Sequence, residues 1–317
     1  MQNNSQKTAC ALTTTDKGLI VSGLRDFSAA QIFDCGQCFR FDGGEEGSGD
    51  RASLRGATKF SGVAFGRFAA FTDLPPDENG AVLLAEGVTE EEFKTVWADY
   101  FDLQTDYSAI KTEIISRFDE ACRREDKTIR QAVERGCGIR ILRADPFETL
   151  ISFIISQNNN IPRIKKTIAA LCAAYGEPIK VDRNISGDEA QTRYAFPTPE
   201  AIAAAGEEGI RALKTGFRAK YIVGAAEAVA EGSLDLAALA AADGEEARER
   251  LQQLRGVGPK VAGCVSLFGL HHLDAFPVDV WMKKVLALRY PDGLDIDALG
   301  RFRGVAQQYL FYNERWI

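Results

Sequence analysis

Two residues could act together on an electrophilic carbon: Lys260 and Asp279. Lys260 ends the stretch Leu254-Arg255-Gly256-Val257-Gly258-Pro259-Lys260, which lies between two segments of helical periodicity. Glycines at both ends of a tight hairpin permit backbone angles closed to other residues. They also let backbone N–H groups point outward at the start of the next helix, a ready site for an anion. Pro259 suits the first helical turn, where no N–H is needed. A lysine there sits against the positive end of the helix macrodipole, which favours the neutral and nucleophilic amine. Taken alone, Gly256, Val257 and Gly258 also fit an ordinary helix corner, and Lys260 a solvated surface lysine.

Asp279 lies nineteen residues further on, in Phe276-Pro277-Val278-Asp279-Val280-Trp281, after a loop and before a helix. It fits an N-cap. A carboxylate near Lys260 could equally orient the amine and stabilise positive charge on a sugar losing its base.

Other chemistries find less support. The seven cysteines are odd in number and scattered, which speaks against a disulfide framework. Cys35 and Cys38 form one C-x-x-C pair without a second pair or nearby histidines, so two ordinary thiols are expected and no metal. No apolar run reaches the length of a membrane span, and the first twelve residues lack the order of a signal peptide. An intracellular location is the resulting expectation: cytoplasmic, at the nucleoid if the source is bacterial. The net charge is −7. Residues 1–126 carry 13 basic and 22 acidic side chains, whereas residues 127–317 carry 25 and 23. A phosphate-binding surface is thus open to the second part only, and it must rely on local geometry more than on bulk charge.

The elements that must position these residues change character along the chain. Short alternating segments at Gly18–Leu24, Cys38–Phe41, Phe60–Phe71 and Ala81–Glu86 predict an antiparallel sheet. Asp42–Asp50 reads as an exposed loop, and Leu74–Gly80, with Pro75-Pro76, as a break. From Thr89 the period becomes helical, at Glu90–Tyr100 and Tyr107–Cys122. Asp145-Pro146 opens a central apolar helix that runs into Ser156-Gln157-Asn158-Asn159-Asn160, and a further helix starts at Pro162. Val181–Thr192 reads as a loop. Helices are expected at Thr198–Ala205, Arg218–Glu231, Asp235–Ala241, Glu245–Leu254, Pro259–Gly269, Val280–Leu288 and Ile296–Asn313. The division is an N-terminal β-sheet domain with helices, 1–126, and a helical domain, 127–317.

Glycine hairpin, lysine, one helix and then Pro-Val-Asp together resemble the helix-hairpin-helix DNA glycosylase superfamily, with its terminal Gly/Pro-Asp loop. Cys264 is the last cysteine, so the iron–sulfur cluster of some branches is not expected. Lys260 argues against the alkylbase-removing branch, which lacks the lysine. The segments Gly36–Phe41, Tyr100–Leu103, Asp145–Glu148, Ser156–Arg163, Gly216–Tyr221 and Gln307–Phe311 occur in the order of the 8-oxoguanine DNA glycosylase family and resemble it nearly end to end.

That resemblance implies an α+β fold: an N-terminal antiparallel sheet domain like that of the TATA-binding protein, followed by an all-α glycosylase bundle. It implies a bifunctional glycosylase/AP lyase that excises 8-oxoguanine opposite cytosine from damaged double-stranded DNA, as a monomer. Lys260 would attack the sugar C1′, forming a Schiff base, and Asp279 would support it. The target base must first leave the stack. The Gly36 carbonyl would accept the N7–H of the oxidised base, Phe311 would stack on it across from Cys264, and Gln307 would bond its Watson–Crick edge. Asn158 would fill the vacated space, Phe217 would wedge between bases, and Arg163 and Arg218 would donate to the orphaned cytosine. No cofactor is implied beyond a monovalent cation at the Gly256–Gly258 hairpin. Two departures matter: Phe217 stands where family members often have tyrosine, keeping the ring without the hydroxyl, and Trp281 stands where many members hold a phosphate with histidine, and it carries no positive charge.

Overall fold

The structure is a computed structural model describing residues 10–43, 59–181 and 192–314. Six strands form one antiparallel sheet: β1 (Ala11–Thr15), β2 (Gly18–Leu24), β3 (Phe41–Gly43), β4 (Lys59–Ala64), β5 (Arg67–Asp77) and β6 (Gly80–Glu86). Their order across the sheet is β1-β2-β6-β5-β4-β3. Helix α1 (Ala29–Asp34) and a helical run over 90–100, α2, which includes a π turn at Phe93–Trp97, share its core. The core is aromatic: Phe33 stacks on Phe41 at 4.2 Å, and Phe71 meets Trp97 edge-on at 5.0 Å.

The remaining helices are α3 (Tyr107–Cys122), α4 (Lys127–Arg135), α5 (Pro146–Ser156), α6 (Ile161–Tyr175), α7 (Pro199–Ile210), α8 (Ala219–Ala230), α9 (Leu236–Ala241), α10 (Gly244–Gln252), α11 (Pro259–Phe268), α12 (Val280–Arg289) and α13 (Arg303–Glu314). They surround a second core, to which α3 contributes Tyr107, Ile110, Ile114 and Phe118. Helix α5 is its axis: eight of its eleven residues are buried, as its unbroken apolar run requires. Asp145 caps it by accepting from Glu148 N at 2.7 Å, with Pro146 in the first turn.

β1 and α4 were not anticipated from the sequence, and three expected segments differ. Cys38–Arg40 is not a strand, and pairing begins at Phe41. The preceding backbone is held by long-range side-chain bonds from Gln37, and the Arg40 guanidinium reaches across to Glu148 and the Tyr194 carbonyl. Pro75-Pro76 does not end a strand, because β5 continues to Asp77. Pairing with β4 stops at Thr72 and pairing with β6 slips between Leu74 and Asp77, so the missing proline N–H groups fall where no ladder bond is needed. The helix expected over Ile296–Asn313 is broken: a 3-10 segment at Asp297–Phe302, kinked at Gly300 with φ +76°, precedes α13, which begins only at Arg303. Of the two expected loops, Asp42 and Gly43 belong to β3, whereas 44–50 and 182–191 lie outside the described residues.

Candidate active site

Lys260 occupies the second position of α11, after the N-cap Gly258 and Pro259. The N–H groups of this first turn have no partner inside the helix. The hairpin before it closes through Val257 N to Leu254 O at 3.0 Å, with Val257 buried. Gly256 adopts φ +87°, and a Cβ there would fall 2.3 Å from the Tyr221 ring, so glycine is required twice over. Gly258 differs from expectation. Its backbone is extended, at φ −94° and ψ 179°, which any residue can adopt, and a Cβ would meet nothing within 4 Å. It leaves the hairpin surface bare rather than permitting a special angle.

The Lys260 amine lies over the α5 helix. Its Nζ is 3.5 Å from Ser156 Oγ and 5.0 Å from the centroid of the Phe153 ring. Phe153 is itself packed between Phe268 and Phe39. The half-buried lysine therefore has an aromatic floor, with the Ser156 hydroxyl and the Cys264 thiol as its polar neighbours.

One turn on from Lys260 comes Cys264, which is buried. Burial pushes its thiol up to about 11, with Lys260 pulling it down and Asp279 pushing it further up. Both charged groups thus act on the same sulfur. Asp279 is the N-cap of α12, and its Oδ1 accepts from Met282 N at 2.7 Å. Among the described residues no ion pair joins it to Lys260, so the amine is not locked to a carboxylate. The loop that carries Asp279 is seated by Gly263: a Cβ on Gly263 would come 3.2 Å from Pro277 Cβ and 3.3 Å from Pro277 Cα. The capping and site roles weighed for Asp279 are therefore compatible.

Gly36 and Phe311 come together from opposite ends of the chain. Gly36 has φ +83°, and a Cβ there would touch Phe311 Cε1 at 3.6 Å. Helix α1 delivers this loop. Ser28 caps α1 and donates to Asp73 on β5 at 2.9 Å, and Asp73 also accepts from Ala29 N and Ala30 N. Gln37, 2 % exposed, then clamps the turn, donating to Ile32 O and Arg140 O while accepting from Leu142 N at 2.8 Å. A buried amide satisfied in this way fixes the direction of the adjoining peptide. Gln307 sits one turn before Phe311 on α13 and is buried, not a surface glutamine; its Oε1 accepts from Gln308 Nε2 at 2.8 Å.

The second group lies beyond the C-terminus of α5. Asn158 is exposed and left-handed, at φ +47°. Phe217 is 50 % exposed, and Arg163 is exposed at the start of α6. Arg218 departs from expectation. It is buried, and its guanidinium donates to the carbonyls of Gln157, Asn158 and Thr215 rather than facing outward. Burial and the neighbouring Arg163 hold its pKa below the ordinary arginine value. Trp281 is 42 % exposed beside Val280, with Lys283 and Lys284 exposed on the same helix.

Sequence reasoning did not single out Gln37, Phe153, Tyr221 or Gly263. Only Gly263 carried a signal, since a glycine inside a helix costs about 1 kcal/mol relative to alanine and so marks a close approach.

Among family models, that of the 8-oxoguanine DNA glycosylase N-terminal domain matches residues 19–150. That of the HhH-GPD superfamily base excision DNA repair proteins matches residues 151–291. The N-glycosylase/DNA lyase of Saccharomyces cerevisiae is 40% identical over 164 residues, 48% of this chain and 42% of that protein. The chain spans about half the length of the curated relatives it matches. A solved Clostridium acetobutylicum 8-oxoguanine glycosylase/lyase, in complex with double-stranded DNA containing cytosine opposite 8-oxoguanine, is 35% identical. It superposes with a TM-score of 0.80 over 96% of this chain and 98% of its own. MBOgg1, in complex with a low-affinity DNA ligand, gives 0.81 at 36% identity over 97% and 99%.

Proposed function

This chain belongs to the 8-oxoguanine DNA glycosylase family, and from that membership and the geometry around Lys260 we propose that it is a bifunctional DNA glycosylase/AP lyase excising 8-oxoguanine opposite cytosine from duplex DNA. The observation that carries the reading is the Lys260 amine held over Phe153 and Ser156, on a helix whose Gly263 seats the Asp279 loop.

In this reading the extruded nucleotide enters between Gly36 and Phe311 on one side and Lys260 with Cys264 on the other. The neutral amine bonds to C1′ while the C1′–N9 bond breaks, and that electron pair leaves with the base, which takes up a proton. Asp279 stabilises the positive charge that develops on the sugar. The nitrogen then gives up a proton and its lone pair opens the C1′–O4′ bond, whose electron pair leaves with O4′ and takes up that proton, giving the protonated Schiff base. Loss of a C2′ proton and departure of the 3′ phosphate complete β-elimination. The Gly36 carbonyl distinguishes the oxidised base, because unmodified guanine would present an acceptor to a buried acceptor.

On the other strand, Asn158 fills the gap, Phe217 wedges and Arg163 donates to the cytosine. The Gly256–Gly258 hairpin grips a DNA phosphate without reading sequence, directly or through a monovalent cation. The chemistry needs no further cofactor, and we place it inside the cell, in a monomer acting at the nucleoid if the source is bacterial. Among the described residues no helix is long and apolar enough to cross a membrane.

The test is release of free base from duplexes carrying either 8-oxoguanine or 3-methyladenine. Release of 8-oxoguanine with nicking of the strand is expected. Release of the methylated base alone would overturn the assignment.

A further inference from the structure

We infer that Asp102 and His271 are positioning residues: their contact ties the loop that carries Asp279 to the turn that carries Gly36, across the junction of the two cores. The inference rests on the proposed glycosylase reading and deepens it. His271 Nε2 lies 3.2 Å from Asp102 Oδ2, with the two side chains 11 % and 1 % exposed. Both residues stand in left-handed backbone, His271 at φ +60° and Asp102 at φ +53°. Asp and His are among the few residues that tolerate this region, and backbone strain of this kind collects at functional sites. Among the described residues the other ring nitrogen, Nδ1, has no hydrogen-bond partner, so Asp102 is the polar contact of the ring.

Asp102 is the hub of a buried polar network. It stands between Tyr100 and Phe101 of the sheet core and Tyr107 of the helical core. Its Oδ1 accepts from Thr105 Oγ1 and from Arg143 Nε, each at 2.9 Å, and its Oδ2 accepts from the Tyr107 hydroxyl at 3.2 Å. Burial pushes its carboxyl up, but His271 and Arg143 outweigh burial and hold it below the ordinary value. The Asp102 carbonyl accepts from Arg140 Nη2 at 2.6 Å, and the Arg140 carbonyl accepts from Gln37, whose amide clamps the Gly36 turn. A line of buried polar contacts therefore runs from Gly36 through Gln37, Arg140 and Asp102 to His271. From there the loop continues to Asp279. Its other anchors come from the helical bundle: His272 Nε2 meets Leu239 O at 3.0 Å, Leu273 O accepts from Gly304 N at 2.8 Å, and Asp274 pairs with Arg248 at 3.1 Å and with Arg303 at 3.8 Å. Of these anchors only His271 reaches the segment that joins the two cores. In the proposed reaction Gly36 meets the base and Asp279 the sugar, so this contact bears on the spacing between them.

The experiment compares wild type, His271→Asn, Asp102→Asn and the double variant. It measures single-turnover excision of 8-oxoguanine at saturating protein, affinity for a duplex with a tetrahydrofuran abasic analogue, and hydrogen–deuterium exchange over residues 269–279. Asparagine tolerates the left-handed backbone, but its amide ends one bond short of the Nε2 position. His271→Gly, which adopts φ +60° without strain, takes its place should that variant misfold. His271→Asn is expected to exchange faster across the loop and to excise on the order of 10-fold more slowly, as a displacement below 1 Å would cost, with affinity for the abasic duplex unchanged. Because the two side chains act through one contact, the double variant is expected to lose no more rate than the worse single variant. Wild-type exchange across the loop in His271→Asn, a wild-type rate there, or losses that multiply in the double variant would overturn the inference. So would a fall in affinity equal to the fall in rate. Should wild type excise nothing, the glycosylase reading fails, and exchange still decides the tie: faster exchange across the loop in both single variants supports it, and wild-type exchange refutes it.

Discussion

Replacing Gly263 by alanine should separate stability from catalysis. The new methyl group would meet Pro277 at 3.2 Å and 3.3 Å. Carbon atoms at rest lie about 3.5–4.0 Å apart, so the Pro277–Asp279 loop must retreat by roughly 0.3–0.7 Å from α11. Inside the helix, alanine gains about 0.8–1 kcal/mol over glycine. Crowding costs about 1–3 kcal/mol. The two nearly offset, leaving a net loss of about 0–2 kcal/mol and a melting temperature lowered by at most a few degrees. Asp279 moves with the loop. If an error of 1 Å costs about a hundredfold, half of that costs about tenfold in rate. Single-turnover nicking of an 8-oxoguanine duplex, measured beside a thermal melt, reads both quantities. A wild-type rate in this variant would show that the Gly263 contact does not place the carboxylate.

The two hairpin glycines should respond differently. Gly256→Ala meets Tyr221 at 2.3 Å with φ +87°, and by the combined cost of left-handed strain and overpacking it should lose about 2–4 kcal/mol in a denaturant titration. Gly258→Ala meets nothing and should keep wild-type stability; equal losses in both would refute the distinction. The Cys264 thiol, raised by burial from 9.0 to about 11, stays protonated in the folded protein while the unfolded chain ionises. Its contribution is fully present below pH 9 and falls by about 2–3 kcal/mol as pH rises to 11. Cys264→Ser should flatten that decline. Iodoacetamide at pH 8 should label the exposed Cys137 and spare Cys264, and rapid labelling of Cys264 in native protein would contradict its burial.

What could be read from the residues was mostly local. The boundaries of α3, the Asp145 cap and the Pro259 start of α11 follow from period and capping chemistry, which involve neighbours within one turn. Lys260 and Asp279 were legible because a glycine hairpin, a lysine and a Pro-Val-Asp loop are each unusual and their order is specific. The misreadings share a cause. Cys38–Arg40 alternates like a strand, but Gln37 and Arg40 spend their polar groups on residues a hundred or more positions away. The burial of Arg218 was not legible either, because its acceptors, the carbonyls of Gln157 and Asn158, lie sixty positions upstream and are backbone atoms that sequence does not mark.

The central claim is that the Lys260 amine attacks the sugar. The direct measurement is borohydride trapping on a duplex with one 8-oxoguanine opposite cytosine, run with wild type and Lys260→Gln side by side. The account predicts a covalent protein–DNA adduct in wild type, and in the variant no adduct and no strand cleavage but retained lesion binding. An adduct or normal turnover in Lys260→Gln would contradict it.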